Sequence, residues 1–72
     1  MMDRQEQMLV DALVKVDDLG DIAPAEVQDP MTMVLRHRAL LADLMRWNDY
    51  LGSYFLTGTG RRRIAARHRA QS

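Results

Sequence analysis

Residues 20–29, GDIAPAEVQD, split the chain into two parts that each carry helical patterning, and no other stretch limits the fold as much. Gly20 and Pro24 interrupt helical and strand periodicity alike, although PAEVQ has the composition of a single helical turn. A connector of this length suits two antiparallel helices.

The part before it reads as a helix over about residues 4–19. Asp3 stands at the N-cap with Glu6 as its reciprocal capping partner, and Gly20 occupies the place of a left-handed C-cap. Met2, Leu9, Ala12, Leu13, Val16 and Leu19 fall on one stripe of a 3.6-residue period, while Asp11, Asp17 and Asp18 point elsewhere.

The second helix opens at Asp29, a good N-cap, with Pro30 at the first helical position where a missing N–H costs nothing. Its pattern predicts helix over about residues 30–51, or to 56 if Gly52 is absorbed at a cost of about 1 kcal/mol relative to alanine. Val34, His37, Leu41, Leu44, Asn48, Leu51 and Phe55 alternate spacings of three and four, as on a short coiled-coil seam, with Asn48 and His37 as polar members that set register. Trp47 and Tyr54 lie beside this seam as aromatic anchors. TGTG at 57–60 then reads as a flexible stop. Beyond it Ile64 is the only large apolar residue, too little to hold a helix against a core. The expected fold is therefore all-α: a two-helix antiparallel hairpin over residues 1–56 followed by a flexible Arg-rich tail over 57–72.

Charge adds a second division. The net charge is zero, yet residues 1–29 hold eight of the ten acids, and residues 30–72 hold eight of the ten basic side chains, all of them arginine. Arg61, Arg62, Arg63, Arg67 and Arg69 are gathered in the last twelve residues with no acid among them. Such a run could neutralise nucleic-acid phosphates without a folded reader, or dock on acidic protein. No helix-turn-helix or aromatic stacking platform accompanies it, and the acidic half would repel the same polyanion.

Several chemistries lack their residues. With no cysteine there is no disulfide, thiolate zinc site or nucleophilic thiol, and His37 and His68 alone make a poor metal-ligand set. Residues 17–26 have the acid density of a calcium loop in the wrong order. GTGRRR lacks the lysine-serine pair of a P-loop and the third glycine of a dinucleotide fingerprint. Ser53 and Ser72 have no histidine and acid at a triad-like spacing. No catalytic residue, metal ligand, cofactor or small-molecule substrate is expected. The amino terminus carries acids where an export signal would be basic, and no apolar run approaches a membrane span, which points to the cytoplasm.

A core of 72 residues supplies only ~3–5 kcal/mol by itself, and oligomerisation is the one common staple this composition leaves. The first expectation is thus a non-enzymatic interaction or assembly module that meets itself or another protein through the seam, oriented by head-to-tail charge complementarity. The alternative is a nucleic-acid accessory that uses the five tail arginines. Nine arginines to one lysine and frequent alanine fit an accessory protein of a GC-rich bacterium or phage.

Overall fold

A computed structural model describes the backbone of residues 4–71 and the side chains of residues 4–67. The elements in chain order are α1 (Arg4–Val14), the single turn α2 (Val16–Leu19), α3 (Pro30–Leu41), β1 (Met45–Asn48), β2 (Ser53–Leu56) and α4 (Gly58–Gln71). The expected Asp3 cap and the Met2 end of the first stripe lie outside the described residues. Gly20 closes α2 in the left-handed region at φ 72°, its N–H donating to the Val16 carbonyl. At α3, the Asp29 carboxylate accepts from the Thr32 N–H (3.1 Å) and hydroxyl (2.7 Å), with Pro30 as the first helical residue.

The all-α expectation fails at residue 42. The helix expected to run to 51 or 56 stops at Leu41, because Asp43 turns left-handed at φ 59° and closes a Schellman motif. In it the Leu44 N–H donates to the Ala39 carbonyl (2.8 Å) and the Asp43 N–H to that of Leu40 (3.1 Å). Aspartate tolerates this conformation better than most residues. Arg46 then grips the Asp43 carboxylate through two hydrogen bonds of 2.7 and 3.1 Å. The chain leaves the motif extended, and Leu44 and Met45 both reach full burial.

β1 and β2 form an antiparallel hairpin in the register Met45↔Leu56, Arg46↔Phe55, Trp47↔Tyr54 and Asn48↔Ser53. The Asn48 side chain accepts from the Tyr50 N–H (2.9 Å) and Leu51 N–H (3.1 Å), and the Gly52 N–H returns to the Asn48 carbonyl at 2.8 Å. Gly52 closes the loop at φ 68°, a conformation glycine adopts without penalty. It is the last residue of the four-residue hairpin loop, where the sequence pattern predicts a weak point within a helix.

The tail is also not a flexible segment. Thr57 caps α4: its hydroxyl accepts from the Gly60 N–H at 3.0 Å and donates to the Asp43 carbonyl. The Thr57 N–H donates to the Leu44 carbonyl at 3.1 Å. TGTG is thus a helix start anchored on the end of α3. Gly60 is required there, since a Cβ would stand 2.1 Å from the Leu44 carbonyl oxygen.

The core draws on every segment except α4, which adds only the partly buried Ile64: Leu9, Ala12, Leu13 and Val16 from α1 and α2, Ile22 from the connector, Leu35 and Ala39 from α3, and Leu44, Met45 and Leu56 from the Schellman turn and hairpin. The Gly20 carbonyl accepts from the Tyr54 N–H at 2.7 Å and ties the connector to β2. Among the described residues no helix is long and apolar enough to cross a membrane.

Candidate protein-interaction surface

The arginines are the first place to look for a site, and most of them are already engaged. Arg61 binds the Asp17 carboxylate through two hydrogen bonds of 3.2 Å. Arg63 pairs with Glu6, and Arg67 with Asp11 and the Gln7 carbonyl. Arg38 of α3 reaches the same Glu6 carboxylate at 3.5 Å and also Gln5, so one acid links α1 to both α3 and α4. Arg36 holds Asp21 at 3.0 Å. Arg62 donates to the Thr59 hydroxyl at 3.2 Å. The Arg69 side chain lies outside the described residues. The complementarity expected between molecules is therefore met within one chain: the basic half lies along the acidic half. These pairs hold α4 in place, which its single large apolar residue would not do.

The expected seven-residue seam and its two aromatic anchors are divided by the fold. Val34, His37 and Leu41 share the outer face of α3. Leu44 is fully buried in the core. Asn48 spends its side chain on the hairpin loop, so it sets a turn and no coiled-coil register. Trp47 and Tyr54 are opposite each other on one face of the hairpin and meet edge to face at 5.0 Å and 73°. Phe55 points to the other face, across from Arg46, and Leu51 sits in the loop.

What remains is an unusual amount of exposed apolar side chain on α3 and the hairpin. Met33, Val34, Leu40 and Leu41 are all exposed around His37, at positions i, i+1, i+7 and i+8 with the histidine at i+4. Opposite them Leu35 and Ala39 enter the core, and the small Ala39 lets the helix backbone approach it closely. The helix is thus apolar on both sides. In the hairpin Trp47 and Phe55 are about half exposed, while Leu51 and Tyr50 project from the loop, Tyr50 at 96% exposure. Met33 and Leu40 belong to the face but not to the expected seam. Drawing the 3.6-residue face around His37 alone, instead of extending it to Phe55, would have found them.

Two carboxylates have perturbed acidity. Hydrogen bonds from the Thr32 hydroxyl and N–H hold Asp29 below its ordinary 3.8. A hydrogen bond from Arg46, aided by its charge, does the same for Asp43. Both groups shape the ends of α3, and Asp43 also lines a shallow cleft with Arg46, Thr57, Thr59 and Arg62. Among the described residues no group of three or more His, Asp or Glu is placed to hold a metal ion. Comparison with protein-family models, curated proteins and solved structures finds no match.

Proposed function

We propose that this chain is a small non-enzymatic interaction or assembly module that binds protein through the outer face of α3 and the β1–β2 hairpin. One observation carries the reading. Large apolar side chains, led by Leu41 at 74% exposure, are concentrated on these two elements although the core is complete without them. Exposed apolar surface beyond scattered single residues costs solubility and marks contact sites. A cysteine-free chain is at home in a reducing cytoplasm, where we place the module. Nucleic acid is the weaker reading, because phosphates would have to displace Asp17, Glu6 and Asp11 from Arg61, Arg63 and Arg67.

The test is site-specific photocrosslinking in the cell of origin, with the probe at Leu41, at Trp47, or at the exposed Ala66 of α4 as control. Adducts from the first two positions and none from the third are expected. Adducts from none of the three, or from Ala66 alone, would overturn the reading.

A further inference from the structure

The exposed face of α3 is symmetric about His37. Met33 and Leu41 each lie four residues from it, and Val34 and Leu40 each lie three. A half-turn about an axis through His37, normal to the helix, exchanges Met33 with Leu41 and Val34 with Leu40. Two such helices laid antiparallel would therefore set apolar side chain against apolar side chain along the whole face. This self-match suits a two-fold interface, in which a residue i of one copy meets j of the other and j meets i, with only the residue on the axis meeting its own image.

Electrostatics favour the same occupant. Apart from His37, no side chain of the face is ionisable. The nearest arginines on the helix, Arg36 and Arg38, are held inward by Asp21 and Glu6. A second copy thus brings no unpaired like charge to the seam, and antiparallel packing sets the positive end of each helix dipole beside the negative end of the other. An acidic or basic partner would find no charge to answer its own. The contact is small. Residues 33–41 span about 12 Å of helix, which falls short of the ~800 Å² per partner of a standard interface and fits a weak, concentration-dependent pair.

We infer that the occupant of the α3 face is a second copy of this chain, packed antiparallel on a two-fold axis through His37. The inference rests on the reading of α3 as a contact surface and specifies its partner. His37 meets its own image on the axis and fixes the register at some cost in affinity, as a lone polar residue does in a helical seam. Met33 of each copy packs on Leu41 of the other.

Sedimentation of the full chain from micromolar to millimolar concentration tests it, with helical content followed by circular dichroism. The wild type should pass from monomer to dimer, His37→Leu should shift the transition to roughly tenfold lower concentration, and Leu41→Glu should shift it at least about tenfold higher. Met33→Lys alone should also dissociate the pair. An equimolar mixture of the Met33→Lys and Leu41→Glu chains should regain dimers, because only the antiparallel register sets position 33 of one chain beside position 41 of the other, where the opposite charges then meet. A wild type that stays monomeric throughout, a dimer indifferent to Leu41→Glu, or a mixture that stays monomeric would each overturn the inference. A monomeric wild type whose Leu41 photoprobe still captures a different protein removes the second copy alone. Loss of that adduct as well removes the contact-surface reading.

Discussion

The contact of α4 with α1 and the outer face of α3 are opposites. Glu6 and Asp11 of α1 and Asp17 of α2 face Arg63, Arg67 and Arg61 of α4, and the charges of one side are answered by the other. On α3, Met33, Val34, Leu40 and Leu41 face solvent, and nothing among the described residues answers them. The most conspicuous feature of the sequence, its arginine run, is thus mainly structural, while an ordinary-looking apolar helix holds the unsatisfied surface. Charge that finds its complement within the chain has little left to offer a partner, whereas exposed apolar area remains unfavourable in water until something covers it.

The sharpest way to break that contrast is to truncate leucines on the two sides of the fold. Leu13→Ala removes a fully buried side chain and should cost about 2–5 kcal/mol, enough to unfold much of a domain this small. Leu41→Ser on the outer face should leave the melting of dilute protein within about 0.5 kcal/mol of wild type. If both changes destabilise equally, the outer face is part of the core and the contrast is lost.

Next in size is Gly60→Ala. Its Cβ would meet the Leu44 carbonyl oxygen, so α4 must shift at its first turn, at a cost of about 1–3 kcal/mol. Faster amide exchange throughout α4, with α1 still protected, is the expected signature. Unchanged exchange would show that charge alone holds the helix.

Glu6→Gln asks how much charge does contribute. The substitution removes the carboxylate shared by Arg38 and Arg63, and the loss should be roughly 1 kcal/mol or less, since both arginines are more than a third exposed. The difference from wild type should shrink as salt is added. A difference that persists at 1 M salt would point to packing instead.

The smallest expected effect is on pH. Asp29 and Asp43 are held below the ordinary carboxylate value in the folded chain. Their hydrogen bonds therefore stabilise fully above that value, and the contribution disappears as pH falls through the depressed ones. Stability should decline on acidification below about pH 4, and the Asp29→Asn, Asp43→Asn double variant should show a shallower decline. Parallel titration of variant and wild type would place the acid sensitivity elsewhere.

Much of this fold was legible wherever the signal was local. The start of α3 at Asp29 and Pro30, the left-handed stop at Gly20 and the stripe through Leu9, Leu13 and Val16 need only short-range sterics and hydrogen bonds. The hairpin was obscured because Leu41, Leu44, Asn48, Leu51 and Phe55 continue a helical spacing that strands of four residues are too short to outweigh. Aromatic Trp47 and Tyr54 on either side of an Asn48–Gly52 loop were the available counter-signal. Thr57 as a cap was equally readable, but only if the arginines beyond it were granted a helix.

The sequence by itself determined the division into an acidic and a basic half, the absence of thiol chemistry, the helix stop at Gly20 and the helix start at Pro30, all of which follow from composition or from neighbours along the chain. The break at Lys15 that divides the helix expected over 4–19 into α1 and α2 did not show in its pattern. Only the tertiary structure decided where α3 ends, because the left-handed Asp43 is supported by burial of Leu44 and Met45 and by Thr57 on the Asp43 and Leu44 carbonyls. Only the tertiary structure decided that the arginines of α4 lie against the acids of α1 and α2, since an ion pair between residues 6 and 63 has no trace in local pattern. The apolar face left on α3 follows from both, as the remainder once the core has taken the side chains it can bury.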